Sequence, residues 1–174
     1  MNRIHTIESI TKLLAELQLS YDKAQLTYQP ILTSGFFDPI HSSHLEYLKA
    51  STRYGNIWIT ALNNNDCCVN KKGFYFLDEN ERAAILSNLS WVHYVIIWSK
   101  NDVSDLIKAV KPKYFTNGGD RTVANKEEDR ACREIGCKQV FGVGGSKKVQ
   151  SSTKILESFL ERYPKVNNSM AGNK

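Results

Sequence analysis

Apolar residues recur at helical spacing near the start of the chain. Ile7, Ile10, Leu13, Leu14 and Leu17 share one face, with Glu8, Lys12 and Glu16 off it, which predicts a helix over residues 6–19. Pro30 opens a short apolar run, Ile31-Leu32-Thr33, suited to a buried strand that ends at Ser34-Gly35. Strands and helices then alternate. A helix over residues 42–52 carries Leu45 and Leu48 on one face. Residues 56–62 are β-branched and aromatic and predict a strand. Asp78 stands three residues before Glu81, the spacing of a capping box, with Leu77 before it as a staple and Ala83, Ala84, Ile85 and Leu86 behind. A helix starts there. Residues 94–98 predict a strand, and Asp102 caps a helix running to Val110, ahead of Pro112. Residues 113–116 predict a strand broken at Gly118-Gly119, and residues 127–135 a helix closed by Gly136. Residues 138–143 predict the last strand, and Ser151 or Ser152 caps a final helix to Glu161. The segment from Asn63 to Gly73 lacks such a pattern and reads as a loop.

Five β–α units in regular alternation predict an α/β fold. Its parallel sheet has five strands, helices on both faces and right-handed crossovers. No repeat or linker interrupts the pattern. Residues 30–163 are expected to form one domain, residues 1–29 a helical addition packed on it, and residues 164–174 a frayed tail.

Composition excludes several classes. With 174 residues, 24% charged and 41% hydrophobic, the chain is neither disordered nor of low complexity, and it is long enough to bury an ordinary core. No apolar run approaches the roughly 18 residues of a membrane span, and the N-terminus lacks a signal-peptide core, so a cytoplasmic protein without a membrane partner is expected. Lys and Arg outnumber Asp and Glu by 23 to 18, a net charge of +5 that suits a phosphate-bearing ligand. The basic residues are dispersed, so nucleic acid is not the expected partner. Cys67, Cys68, Cys132 and Cys137 form no C-x-x-C pair and read as reduced thiols, not as a disulfide framework or a zinc ribbon. Trp91, Tyr94 and Trp98 read as core before interface.

Ligands of open parallel sheets bind at the carboxyl ends of the strands. Four predicted loops lie there. The first, Ser34 to His44, has one glycine only, so it is neither a dinucleotide fingerprint nor a Walker loop. It places His41 and His44 three apart at a helix N-terminus, on one face, where imidazoles and free N–H groups suit a phosphate. The same pair also reads as metal ligands or as two surface histidines; zinc needs at least a third ligand. The second loop offers Asp66, Lys71 and Lys72. The third, Thr116 to Arg121, offers paired glycines that let backbone approach a flat ligand. The fourth offers Ser151, Ser152 and Thr153 beside Lys147 and Lys148, again suited to phosphate.

Taken in order, these loops resemble the cytidylyltransferase-like nucleotidyltransferases. The signature of that family, G-x-F-D-x-x-H-x-G-H, corresponds to Gly35-Phe36-Phe37-Asp38-Pro39-Ile40-His41-Ser42-Ser43-His44. Asn63-Asn64-Asn65-Asp66, Lys72-Gly73, Glu81-Arg82-Ala83, Gly118-Gly119-Asp120 and Ser151-Ser152-Thr153 resemble the branch containing the adenylyltransferase of ADP-heptose synthesis and glycerol-3-phosphate cytidylyltransferase. The similarity runs from about Ile31 to Leu160. Three departures stand out. Ser43 occupies the glycine position between the histidines, Asn117 replaces the lysine of K-G-G-D, and Phe74-Tyr75-Phe76 follows Lys72-Gly73 where relatives often have Arg-Pro.

The resemblance implies a Rossmann-like sheet and transfer of a nucleoside monophosphate from ATP, or from CTP, to a sugar phosphate or related alcohol phosphate, with release of pyrophosphate. It implies His41, His44 and Lys72 as catalytic. Ser34, Gly35, Phe36, Phe37, Asp38, Ser43, Gly118, Gly119, Asp120, Ser151, Ser152 and Thr153 would hold the nucleotide, and Asp66 and Lys71 the acceptor. Asp38 is expected to orient the loop or a histidine and not to transfer a proton. Mg2+ would accompany the nucleotide, with no protein side chain assigned to it, and a homodimer is implied. The heptose-like loops favour ATP. The alternatives are a CTP-dependent glycerol- or choline-phosphate cytidylyltransferase, and a catalytically impaired nucleotide sensor of the same fold.

Overall fold

In this computed structural model, residues 3–119, 121–123, 125–145 and 151–163 are described. Along the chain run β1 (Ile4–His5), α1 (Ile7–Lys23), β2 (Pro30–Gly35), α2 (Ser42–Ser51), a 3-10 turn at Thr52–Tyr54, β3 (Ile57–Asn63), α3 (Asn65–Lys72) and α4 (Glu79–Ser87). They are followed by β4 (Tyr94–Trp98), α5 (Ser104–Val110), β5 (Tyr114–Gly118), α6 (Lys126–Ile135), β6 (Lys138–Val143) and α7 (Ser152–Arg162). All strand pairs are parallel, in the order β1-β4-β3-β2-β5-β6.

The sheet is apolar on both faces because both are covered. Alternate residues of one strand serve different cores. Ile57, Ile59 and Ala61 of β3 join Ile10 and Leu14 of α1, Leu106 and Ile107 of α5 and Ala131 of α6. Leu62 of β3 and Val95 of β4 join Tyr47 and Leu48 of α2 and Ala83 and Leu86 of α4. From β2 the chain moves outward through β3 to β4, then returns to place β5 on the other side of β2. The strand order therefore reverses at β2 and β5, and a crevice opens beyond their carboxyl ends.

Two elements depart from the expected pattern. The sheet has six strands, not five, because β1 adds an edge: Ile4 pairs with Val95 and His5 with Ile96. Two residues are too few to show alternation. They are held by Val95 N–H donating to Arg3 O at 2.8 Å, while the Arg3 guanidinium donates to Ser87 O at 2.9 Å. The second is α3, which occupies most of the segment expected to be a loop. Asn64 caps it by accepting from Cys67 N at 3.0 Å, and Gly73 ends it with φ +86°, a conformation that a side chain resists.

Several caps match the sequence. Gly136 closes α6. At α5 the N-cap position falls to Val103, whose side chain makes no cap bond, and Asp102 one residue earlier accepts from Ser104 N at 3.0 Å. At α4 the Asp78 carboxylate accepts from Asn80 N, at 2.8 Å, and not from Glu81. The reciprocal capping box lies instead between Thr6 and Ser9. All four cysteines are buried free thiols. Burial pushes the Cys67 and Cys68 thiols up, whereas the hydrogen bond from Cys137 lowers Cys132. Trp98 is buried in the core, and Trp91 and Tyr94 are partly buried against it. Among the described residues, no helix is long and apolar enough to cross a membrane.

Candidate active site

The loop leaving β2 carries the densest chemistry. Asp38 is wholly buried, so its charge must be compensated. Its carboxylate accepts from Phe76 N at 2.9 and 3.0 Å and from Leu77 N at 2.9 Å. Lys72 supplies the countercharge, with Nζ 3.3 Å from Asp38 Oδ2 and 2.9 Å from Asp38 O. The same ammonium lies 5.4 Å from the centre of the Phe36 ring. Asp38 thus pins both the last residue of α3 and the backbone of the aromatic run.

His41 begins α2 in extended conformation, and its side chain takes none of the first-turn N–H groups. One turn on, His44 stacks its ring on that of His41, with centroids 3.7 Å apart and planes inclined by 22°. The buried Phe37 meets His44 edge-on at 5.1 Å. Ser43 lies between them, half-buried in the first turn.

Tyr47, on the next turn of α2, ties this loop to β5. Its hydroxyl donates to Thr116 O at 2.6 Å and accepts from Ser34 N at 3.4 Å. Burial pushes its phenol up to about 12, so it stays neutral. Gly118 is required beside it, because a Cβ there would stand 2.6 Å from the Tyr47 ring. Beyond β5, Arg121 pairs at 2.5 Å with Glu128, whose side chain is almost fully buried. At the head of α7, Ser151 caps the helix by accepting from Lys154 N at 3.2 Å.

These elements enclose one cavity of about 470 Å³ at the crevice between β2 and β5. It is lined by Ser34, Gly35, Phe36, Phe37 and Asp38 of the first loop, by His41, Ser43 and His44, and by Lys71 and Lys72. Gly118, Gly119, Ser151, Ser152 and Thr153 complete the expected set. Asp66 is not brought in: it sits on the exposed side of α3, because the helix turns it away from the residues that follow. Asp120, Lys147 and Lys148 lie outside the described residues.

Three lining residues had no expected role: Tyr47, Asn117 and Arg121. Arg82, which does not line the cavity, holds the site together from below. It is 1% exposed and donates to Phe36 O at 2.8 Å, Asn63 O at 2.7 Å, Leu77 O at 2.8 Å and Asn65 Oδ1 at 2.9 Å. The Glu81-Arg82-Ala83 motif marked the residue, but its partners come from three separate stretches of the chain.

A family model described as cytidylyltransferase-like matches residues 32–158. The bifunctional protein HldE of Trichlorobacter lovleyi is 32% identical over 143 residues, which cover 78% of this chain and 28% of that protein. The HldE of Pelobacter propionicus is 33% identical over 141 residues, covering 76% and 27%. The chain thus spans little more than a quarter of the length of these relatives. Among solved structures, a lipopolysaccharide core biosynthesis protein from Thermoplasma volcanium superposes with a TM-score of 0.57 at 24% identity, covering 67% of this chain and 95% of that one. A pantoate-beta-alanine ligase from Francisella tularensis, complexed with beta-gamma ATP and beta-alanine, gives 0.51 at 11% identity, covering 81% and 66%. These two likenesses concern the fold.

Proposed function

The chain belongs to the cytidylyltransferase-like family, and from that premise we propose that it is a nucleotidyltransferase acting on a phosphorylated small molecule. It would transfer a nucleoside monophosphate from a triphosphate, ATP before CTP, to a sugar phosphate or related alcohol phosphate. The observation that carries this reading is the convergence of the stacked His41 and His44, the dilysine and the heads of two helices on one cavity.

An oxygen of the acceptor phosphate attacks the α-phosphorus of the nucleotide. The P–O bond to the β-phosphate breaks, and pyrophosphate leaves with that electron pair. A phosphate monoester is largely dianionic at pH 7, so no general base is needed. Catalysis then rests on position and charge. His41 and His44 would donate N–H bonds to the phosphate oxygens as charge builds. Lys72, steered by Asp38, would bridge acceptor and α-phosphate, with Lys71 beside it. Ser151, Ser152 and Thr153 would hold the terminal phosphates at the head of α7.

The nucleotide would enter as its magnesium complex. Among the described residues no cluster of three or more His, Cys, Asp or Glu is placed to cage a metal, and Asp38 is already committed to Lys72 and two backbone amides. Magnesium would be held here through phosphate oxygens and water, its usual partners at such sites, and would offset the charge of the leaving pyrophosphate.

Pyrophosphate release tests the reading, with ATP and CTP over a panel of sugar, polyol and choline phosphates. Release with one pair is expected, and it names base and acceptor together. Nucleotide binding with no release from any pair would favour the sensor alternative. In His44→Ala, kcat is expected to fall about a hundredfold or more while nucleotide affinity changes little. An unchanged kcat would remove His44 from the mechanism.

A further inference from the structure

The nucleotide cavity has two unlike sides. The side beyond β2 and α3 is cationic, with Lys71 and Lys72 beside the stacked histidines. The side formed by the end of β5 is different. Gly118 and Gly119 expose bare backbone there, and Asn117 is the last side chain before them. Register fixes its place: Thr33 of β2 pairs with Thr116 of β5, so Asn117 stands beside Ser34, where the strand order reverses.

Asn117 is 3% exposed, and its Nδ2 has no hydrogen-bond partner among the described residues. A buried carboxamide donor without a partner is costly and needs a reason. The described scaffold supplies none. Thr116 behind it is satisfied by Ser51 and Leu32, and Tyr47 takes the Thr116 carbonyl. Asn117 lines the cavity. Nearby, Arg121 reaches the same cavity with its guanidinium held by the buried Glu128. Its charge is already met by a carboxylate, so this side favours polar but uncharged groups over a phosphate.

We propose that Asn117 binds the nucleoside part of the nucleotide, its Nδ2 donating to a ring nitrogen or an oxygen of base or ribose, and thereby contributes to nucleoside specificity. The proposal deepens the nucleotidyltransferase reading and rests on it. A site built to hydrogen-bond a ligand discriminates strongly, because loss of that bond leaves its own buried polar group unpaired.

Three ligands separate the contributions: ATP, CTP and inorganic tripolyphosphate, which has the phosphates without the nucleoside. Their binding is measured by calorimetry to the wild type, to N117D, which keeps the shape and loses the donor, and to N117L, which removes both polar atoms. Both variants are expected to bind the preferred nucleotide about tenfold or more weakly, with tripolyphosphate affinity within about twofold of wild type. N117L is also expected to unfold no lower than the wild type without ligand, since it deletes an unsatisfied group. In the wild type, the Asn117 carboxamide proton resonances are expected to shift with nucleotide and not with tripolyphosphate.

Unchanged nucleotide affinity in a folded N117D, or an equal loss for tripolyphosphate, would overturn the proposal and leave the enzyme reading standing. If a variant does not fold, the wild-type resonances decide, and their indifference to nucleotide overturns it. Failure of the wild type to bind any nucleotide would overturn both readings together.

Discussion

At the residue scale, the site turns on how a single buried carboxylate is used. Asp38 accepts from two backbone amides and from Lys72, and it is wholly removed from water. Asp38→Ala would leave Lys72 and both amides without their partner. It is expected to cost about 3–5 kcal/mol in urea unfolding, the range for breaking one side of a buried pair. Asp38→Asn keeps the shape but can no longer hold the ammonium by charge. It is expected to slow pyrophosphate release more than it weakens nucleotide binding, which steady-state kinetics beside calorimetry would reveal. The motif made Asp38 conspicuous in the sequence. Its partners were not readable there, because Phe76 and Leu77 contribute only backbone N–H groups, and any residue but proline offers one.

At the element scale, α3 is the least legible part of the fold. Asn65-Asp66-Cys67-Cys68-Val69-Asn70-Lys71-Lys72 has no apolar stripe, so periodicity is silent. The helix is held from outside instead. Glu79 accepts from Asn65 N at 2.7 Å, Asp78 from Asn65 Nδ2 at 2.8 Å, and Arg82 reaches Asn65 Oδ1. Arg82→Met would strand the acceptors that the guanidinium now joins. A loss of at least about 2 kcal/mol is expected in denaturant unfolding, and Arg82→Lys is expected to recover little of it, because an ammonium lacks the planar fork.

The junction between β3 and β4 carries a pH dependence of its own. His93 stacks on Trp58 at 4.3 Å, and its Nδ1 accepts from Trp58 N at 3.2 Å. Burial, helped by the Arg3 charge, holds its pKa below 6.5. The unfolded chain therefore binds the proton more readily. Stability is retained above about pH 6.5, falls as pH drops below it and levels off beneath the folded pKa. His93→Asn keeps an acceptor without the titration. Its melting temperature is expected to vary less than that of wild type between pH 7.5 and pH 5.

At the scale of the whole molecule, the first helix belongs to the core it covers. Ile10 and Leu14 are buried with Leu106 and Ile107, beneath the face opposite α2 and α4. Leu14→Ala is expected to cost about 2–5 kcal/mol and to lower a single unfolding transition, followed by circular dichroism during a urea titration. A separate early transition for α1 would show that it is an appendage.

Local pattern alone determined the α/β alternation, the five longer strands and the loops that end them. Those signals are side-chain periodicity and capping, which act over a few residues. The histidine loop and the serines of α7 were legible for the same reason, since each places its chemistry in one contiguous run. Pairing across the sheet decided the rest. It joined Ile4 and His5 to β4 and brought Asn117 and Arg121 to the cavity beside Lys72. Such placements depend on contacts between segments tens of residues apart, and no local period encodes them.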